Sequence, residues 1–267
     1  MPWVSNERTG KTVTIAAEEL PSLEALDAHE LLAWALGEFH PRIAISASFQ
    51  AESMVLIDMA TKIRSDVNIF TLDTGRLPQA THELIDQVRH RYDIKIDVHV
   101  PDTARVQAMV RQHGMNLFTR HQTLRMLCCH IRKVEPLRRA LTDLDGWITG
   151  LRRDQSATRA DTPKVLVDED HGGIVKVNPV ADWTRDDVWK YIRANNVPYN
   201  TLYDQGYTSI GCDPCTRAHS PGEDERAGRW WWENSDYKEC GLHQAMPHER
   251  FDQELEWIDE ITKPSQP

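Results

Sequence analysis

Residues 42–62 read RIAISASFQAESMVLIDMATK, and this stretch decides the fold. It opens with the apolar run 42–46, which predicts a buried strand, and it closes on residues 54–62, whose spacing predicts a helix. The loop between them carries three hydroxyl groups, those of Ser46, Ser48 and Ser53. Free backbone N–H groups at the start of a helix favour anions, so this loop is a candidate site for phosphate or sulfate. An ordinary small, polar strand–helix turn is the alternative.

Strands and helices continue to alternate beyond this stretch. Further strands are predicted at residues 67–71, 94–100, 147–150 and 175–177, and helices at residues 78–92, 103–113, 123–141 and 184–195. Helices of this length between strands imply right-handed βαβ units. We therefore predict an α/β fold, a parallel twisted sheet flanked by helices. Upstream, Ser22 is predicted to cap an amphipathic helix that extends to Trp34.

Composition divides the chain into three parts. Residues 1–20 lack clear periodicity and are interpreted as a loose leader, and residues 21–205 carry the α/β alternation. In residues 206–267, glycine, proline, charge and the run Trp230–Trp232 replace the alternation, although residues 251–261 have helical spacing. Open α/β folds bind ligands at the carboxyl edge of the sheet, so this C-terminal appendage is predicted to fold over that edge.

Charge and hydropathy exclude several classes of protein. The chain of 267 residues carries 31 Lys and Arg against 41 Asp and Glu, a formal charge of −10. This acidic balance disfavours broad, non-specific binding to nucleic acid. The first twenty residues lack an apolar run long enough for a signal peptide, and no stretch approaches the length of a membrane span. We expect a cytoplasmic protein without membrane or nucleic-acid partners, whose five cysteines stay reduced.

Four of the five cysteines form a candidate metal site. Cys128 and Cys129 are adjacent in a predicted helix, and Cys212 and Cys215 form a CxxC pair. Zinc favours two CxxC-type pairs, since its tetrahedral sulfurs lie about 3.8 Å apart for Zn–S near 2.3 Å. Neighbouring helical residues diverge by about 100° around the axis, which suits the corners of a [4Fe–4S] cluster better. For the adjacent pair alone, a role as buried core thiols is the alternative.

Cys240 is the candidate nucleophile. A thiolate is the reactive form of cysteine, and nearby cations lower the thiol pKa. Lys238 and His243 are close to it in sequence, and Arg226 and Arg229 lie slightly upstream. An incidental exposed thiol is the alternative interpretation.

Two further loops follow predicted strands. Leu72, Asp73 and Gly75 belong to a turn that is ordinary when taken alone. The segment GLRRDQSATR, residues 150–159, carries three arginines, among them Arg152, that are able to clamp an anion with paired N–H groups. A solvated basic turn is the alternative for this segment.

Seven segments together resemble the adenylyl-sulfate/phosphoadenylyl-sulfate reductase family in its iron–sulfur form. They are SFQAES (48–53), LDTGRL (72–77), CCHIRKVEPL (128–137), GLRRDQSATR (150–159), NPVADWTRDDVWKYI (178–192), GCDPC (211–215) and ECGLH (239–243). The segments occur in order over most of the chain, and the combination of CC, CxxC and ECGLH is highly specific. The sequence departs from the family at Gln50, where many members carry Gly, and in the 24 residues that follow His243.

The resemblance implies an adenine nucleotide α-hydrolase-like fold, related to the ATP pyrophosphatases, and reduction of adenylyl sulfate to sulfite and AMP in sulfate assimilation. It implies that Cys240 attacks sulfur to give an S-sulfocysteine, from which thioredoxin or a similar dithiol releases sulfite. It also implies a [4Fe–4S] cluster on the four cysteines; members that have them generally use adenylyl sulfate. By this analogy Lys133, Arg226, Arg229 and His243 surround the sulfate.

The predicted catalytic residues are Cys240 and His243, and the predicted substrate-binding residues are Ser46, Ser48, Ser53, Leu72, Asp73, Gly75, Lys133, Arg152, Arg159, Arg226 and Arg229. The serine loop faces the phosphosulfate and the turn that starts at Leu72 faces the adenosine.

Other functions remain open at this level. A reductase of the 3′-phosphorylated substrate, or of both substrates, is the near alternative. A zinc-bearing nucleotide enzyme of the tRNA-thiolation type is disfavoured by the net charge and the adjacent cysteines. A cluster-bearing redox sensor with Cys240 as the sensing thiol is the non-enzymatic alternative. The oligomeric state is also open, with a homo-oligomer among the alternatives.

Overall fold

The computed structural model describes residue 15 and residues 19–220, 222–233, 239–243 and 249–262. Within these residues, one sheet has six strands in the order β3-β2-β1-β4-β6-β5. The strands are β1 (Ile43–Ser46), β2 (Ile69–Leu72), β3 (Asp97–His99), β4 (Gly146–Ile148), β5 (Val165–Asp168) and β6 (Ile174–Val177). All neighbouring pairs are parallel except β5 and β6. The predicted α/β fold class is therefore confirmed.

Helices cover both faces of the sheet. They are α1 (Leu20–Ala25), α2 (Ala28–Phe39), α3 (Ala51–Ile63), α4 (Gln79–Tyr92), α5 (Thr103–His113), α6 (Gln122–Cys129), α7 (Glu135–Ala140), α8 (Arg185–Ala194) and α9 (Glu249–Thr262). Side chains alternate along β1, so Ile43 and Ile45 join the core formed with α2, α3 and α8. Ala44 faces the opposite side, where it packs with Trp147 and Leu137 of α7. No described helix is long and apolar enough to cross a membrane.

The N-terminal helix prediction was wrong in its cap. Two helices replace the single one, and Ser22 lies inside α1, where its hydroxyl donates to the Glu19 carbonyl. Asp27 begins α2 instead: its carboxylate accepts from the Glu30 N–H while the Glu30 carboxylate accepts from the Asp27 N–H. This reciprocal capping box satisfies two N–H groups that the helix leaves free. Of the predicted leader 1–20, only residues 15, 19 and 20 lie within the described part.

Two strands also differ from the prediction. The strand expected over 94–100 shrinks to β3, whose Val98 is half exposed, because β3 is the edge strand of the sheet that the described residues form. The sequence prediction missed β5, from which the chain turns at Gly172 and Gly173 into the antiparallel β6. Both glycines have positive φ, the conformation that such a tight reversal requires.

The helix predicted over 123–141 is interrupted directly after the cysteine pair. Residues His130–Val134 form a π-helical turn between α6 and α7. A π turn inserts extra backbone into a helix and is frequent at functional sites. Here the turn carries Lys133, which is buried and faces the cavity at the carboxyl edge of the sheet.

Candidate active site

A cavity of about 140 Å³ opens at the carboxyl ends of β1, β2 and β4. Residues from both the α/β part and the predicted appendage line it. Those of the predicted site that do so are Ser46, Ser48, Ser53, Leu72, Lys133, Arg159, Arg226, Arg229, Cys240 and His243. Described segments of the appendage thus lie at the edge of the sheet where open α/β folds bind ligands.

The serine loop is held by contacts within itself and with the appendage. The Ser48 N–H donates to the Ser53 hydroxyl over 3.0 Å, and the two hydroxyls lie 3.0 Å apart. Gln50, which departs from the family pattern, accepts from the Ile210 N–H at 2.8 Å through its side-chain oxygen. The glutamine thus ties the loop to the segment that precedes the CxxC pair.

Cys240 lies in this cavity among fixed cations. Burial raises the pKa of its thiol, but Lys133, Arg229 and the Leu242 N–H together outweigh burial and the Glu239 charge, so the pKa falls below the ordinary value. Burial also lowers the pKa of Lys133, yet the charges of Cys212, Cys240 and Cys129 outweigh it and raise that pKa. The thiolate and the ammonium therefore stabilise each other.

Arg229 and Arg226 are further cations that line the cavity. A Cβ atom on Gly211 would lie 2.3 Å from Arg229 Nη2, so only glycine lets this guanidinium lie across the backbone there. Burial and the neighbouring Arg159 lower the pKa of Arg226 to about 10, although Glu239 opposes them. Arg226 therefore stays charged at neutral pH.

His243 is a neutral member of the site. Its ring stacks on Trp147, with centroids 5.6 Å apart and planes 18° apart. Burial, followed by the charges of Lys176 and Arg159, holds the pKa of His243 well below its ordinary value. The imidazole is uncharged at neutral pH, so it offers a hydrogen bond rather than a positive charge to an anion.

The Glu239 carboxylate accepts from two of the cavity arginines. Arg159 donates to both of its oxygens, at 2.9 Å and 2.8 Å, and Arg226 donates over 3.4 Å. Glu239 as a whole is only 5% exposed. The contacts of its carboxylate hold the ECGLH segment against the cavity. Lys238 lies outside the described residues.

The four remaining cysteines lie together beside the cavity. Cys128, Cys129, Cys212 and Cys215 are buried in one apolar cluster with Trp230, and all five cysteines of the chain are free thiols. The Thr74 hydroxyl and Cys212 Sγ are 3.2 Å apart.

Comparison with known proteins identifies the family. The model of the phosphoadenosine phosphosulfate reductase domain matches residues 42–218. The chain belongs to this family. It is 49% identical over 235 residues to a protein of Burkholderia cepacia named adenosine 5′-phosphosulfate reductase, which covers 88% of this chain and 92% of that protein. It is 46% identical to the protein of the same name from Allochromatium vinosum, over 86% of this chain and 89% of that one.

A solved reductase structure supports the same assignment. The phosphoadenylyl-sulfate reductase of Candida auris, crystallised with phosphate, superposes with a TM-score of 0.65 at 29% identity. The match covers 76% of this chain and 98% of that one. The resemblance to the reductase family drawn from the seven segments is thereby confirmed, while its iron–sulfur form stays a prediction.

Among the predicted reductase site residues, Arg152 lies outside the cavity lining. It is fully buried, and its guanidinium donates to Glu52 over 2.9 Å and to Glu225 over 3.0 Å, with Asp154 as a third partner. Burial lowers its pKa, but Glu52 and Glu225 outweigh burial and raise it. Three carboxylates occupy the N–H groups that an anionic substrate would need.

Asp73 and Gly75 also lie outside the lining. The Asp73 carboxylate accepts from the Gly75 N–H at 2.8 Å, which closes a turn, and it lies 3.1 Å from His82 Nε2. Gly75 has φ +68°, as this turn requires. The turn directs Thr74 into the cavity instead. Sequence reasoning missed Thr74 because the flanking Asp and Gly carry the stronger turn signal.

Gln155 is a second lining residue that the sequence prediction missed. Its amide nitrogen donates to Glu52 over 3.1 Å and its oxygen accepts from Arg159 over 2.6 Å. The only signal was its position between Arg152 and Arg159, both of which were chosen for their charge.

Proposed function

We propose that this protein reduces adenylyl sulfate to sulfite and AMP in sulfate assimilation, with thioredoxin or a similar dithiol as reductant. The observation that carries the proposal is the buried Cys240 thiol, whose pKa is lowered beside Lys133 and Arg229 in a cavity at the sheet edge. The names of the two bacterial relatives support adenylyl sulfate as the substrate.

The cavity separates the two ends of such a substrate. Ser48 and Ser53 lie at the N-terminus of α3, where hydroxyls and backbone N–H groups suit the phosphosulfate. Leu72 and Thr74 at the end of β2 suit the adenosine. Lys133 and Arg229 suit the sulfate, next to Cys240.

The first step forms a covalent intermediate. The Cys240 thiolate attacks the sulfur of adenylyl sulfate, a sulfur–sulfur bond forms, and the bond from that sulfur to the bridging oxygen breaks. AMP leaves with the electron pair and therefore gains negative charge. Lys133 and Arg226 offset that charge in a site from which most water is excluded.

The second step regenerates the thiol. A thiolate of the reductant attacks Sγ of the S-sulfocysteine, sulfite leaves with the electron pair, and a mixed disulfide forms. The second thiol of the reductant then displaces Cys240, so the dithiol is oxidised to a disulfide and Cys240 returns to the thiolate. The five free cysteines fit a cytoplasmic setting in which such dithiols are kept reduced.

We also propose that Cys128, Cys129, Cys212 and Cys215 hold a [4Fe–4S] cluster. Buried donors beside them support the fit: Arg125 Nη2, Arg132 Nε and Trp230 Nε1 find no acceptor among the described residues. Sulfur ligands of a cluster are acceptors for such groups.

The arrangement of ligands favours a cluster over a single ion. Cys128 and Cys129 are neighbours in α6 and diverge by about 100° around its axis, which suits separate corners of a cluster better than the sulfurs of one zinc ion, about 3.8 Å apart. The electrons for the reduction come from the reductant. When bound, a cluster would therefore supply fixed charge and link the two cysteine segments. Visible absorbance of the purified protein separates an iron–sulfur cluster from zinc.

Sulfite release tests the proposal. The wild type and Cys240→Ser are compared on adenylyl sulfate and on its 3′-phosphorylated analogue, with thioredoxin present. We expect release from adenylyl sulfate that the variant loses by a factor on the order of 10³ or more. Faster release from the analogue would make the 3′-phosphorylated compound the substrate. The name of the Candida auris relative supports that alternative. No sulfite from either would overturn the reductase proposal in favour of a sensor.

A further inference from the structure

Arg125 is a fully buried arginine on α6, one helical turn before Cys129. Its Nε donates to the Glu233 carboxylate over 2.6 Å, and its Nη1 donates to the Glu239 carbonyl over 2.8 Å. Its guanidinium carbon lies 4.3 Å from the centroid of the Trp230 ring. It does not line the cavity.

These contacts join two points of the chain that flank residues 234–238. Glu233 lies before that stretch and Glu239 after it, and Arg125 binds both. The Glu233 side chain is 7% exposed, so the pair is removed from water. Removing one partner of a buried ion pair leaves the other charge uncompensated, so the contact strongly favours one arrangement of the two segments.

Glu239 is held in two separate ways. Arg159 and Arg226 bind its carboxylate, and these are cavity residues whose charges the proposed substrate also needs. Arg125 binds its backbone carbonyl, outside the cavity. An anion that binds Arg159 and Arg226 in place of the Glu239 carboxylate therefore leaves the contact with Arg125 intact.

The Trp230 ring extends the contact to the cavity wall. Arg229 lies 4.7 Å from the centroid of the same ring, so two guanidinium groups share it. Such cation–π contacts are stronger when both partners are desolvated. Arg125 therefore connects α6 to the Trp230 ring, which Arg229 also contacts, and to Glu239, the residue directly before Cys240.

We propose that Arg125 is a positioning residue that sets Cys240 opposite Lys133 by holding the Glu233 side chain and the Glu239 carbonyl. This inference rests on the proposed reductase function for its kinetic consequence, but not for its structural one. Arg125 does not line the cavity, and its hydrogen bonds go to Glu233 and to the Glu239 carbonyl. Its loss is expected to change the rate of attack by Cys240 much more than the binding of substrate.

Two variants test this. Arg125→Met removes both hydrogen bonds, and Glu233→Gln keeps the shape of the partner and an acceptor oxygen but not its charge. Arg42→Met is the control, because Arg42 makes a paired but more exposed contact with Asp145, at the amino end of β4 and so away from the cavity. Hydrogen exchange of the peptides that contain residues 239–243 is measured on the whole protein, without substrate.

We expect faster exchange over residues 239–243 in Arg125→Met, a smaller increase in Glu233→Gln, and none in the control. In a single turnover without reductant, we expect S-sulfonation of Cys240 to slow about 100-fold in Arg125→Met, with KM for adenylyl sulfate within about threefold. Unchanged exchange in both variants would overturn the inference. So would slower turnover explained entirely by a raised KM. If Arg125→Met does not fold, Glu233→Gln decides by the same criteria. Failure of the wild type to release sulfite would contradict the reductase function alone, because the exchange result does not depend on it.

Discussion

The two walls of the cavity are built in different ways. The sheet wall consists of the serine loop and the strand ends, held by strand pairing, by the buried helix α3 and by contacts between residues close in sequence, such as Ser48 and Ser53. The C-terminal wall, residues 226–233 and 239–243, is held by arginines that reach it from α6 and from the loop after β4. The first wall is a product of the fold, while the second depends on a few charged contacts.

This difference separates stability from reactivity. Changes to the sheet wall are expected to alter the free energy of unfolding. Changes to the C-terminal wall are expected to alter where Cys240 lies and how acidic its thiol is.

The largest effect is expected from Arg152, which braces the sheet wall. Arg152→Met leaves the carboxylates of Glu52 and Glu225 unpaired in a buried place. Breaking a buried ion pair costs about 3–5 kcal/mol, and urea denaturation is expected to show a loss of that size. Arg217→Met is the control, since its pair with Glu223 is far more exposed and is expected to contribute much less to stability. Equal losses of unfolding free energy in the two variants would show that the buried pairs of Arg152 stabilise the protein no more than a surface pair does.

Next in size is Lys133, the cation of the π turn that lines the cavity. Lys133→Met removes a charge that lowers the pKa of Cys240, so that pKa rises and the thiolate forms only at higher pH. Alkylation of Cys240 should therefore begin at higher pH than in the wild type. S-sulfonation in a single turnover should slow about 100-fold, as when one stabilising donor of a transition state is lost. Lys190→Met on the exposed side of α8 is the control, and an unchanged alkylation profile in Lys133→Met would contradict the role of this cation.

A smaller effect is expected from Glu239, which belongs to the C-terminal wall. Burial raises the pKa of this carboxyl, but Arg159 and Arg226 outweigh it, and the pKa lies below its ordinary 4.5. The carboxylate therefore stabilises the packing of residues 239–243 against the cavity above pH 4.5. This contribution is lost as the pH falls through the lowered pKa. Glu239→Gln at neutral pH should imitate that acid state and raise hydrogen exchange over residues 239–243 about tenfold. Exchange equal to that of the wild type would show that the carboxylate does not hold the segment.

The smallest effect is expected at a purely local feature. The Thr184 hydroxyl accepts from the Asp187 N–H and caps α8. Thr184→Ala should cost about 1 kcal/mol of unfolding free energy and leave the rate of S-sulfonation per folded molecule unchanged. A changed rate would mean that the sheet wall and the C-terminal wall are not independent.

The sequence predicted the sheet wall well because its signals are local. The helix predicted over 103–113 coincides with α5, and β1 lies within one residue of its predicted run. Periodicity was misleading at β3, where exposure at the sheet edge shortened the strand, and at the helix over 123–141, where a π turn intervenes. Tertiary packing decides both, and it leaves no local pattern.

The C-terminal wall shows the limit more clearly. The sequence indicated that Cys240 needs cations, but it did not indicate Arg125, which lies 114 positions before its partner Glu239. Arg152 and Arg159 look equivalent in sequence, yet one is committed to three carboxylates and the other lines the cavity. Which acid a given arginine meets is decided by the fold.

The central claim is that Cys240 attacks the sulfur of adenylyl sulfate. The most direct test incubates the protein with adenylyl sulfate in the absence of reductant and maps the modified peptide by mass spectrometry. The account predicts one SO₃ group on Cys240, formed together with one equivalent of AMP and released as sulfite when thioredoxin is added. AMP release without modification of Cys240, or the same adduct on another cysteine, would contradict it.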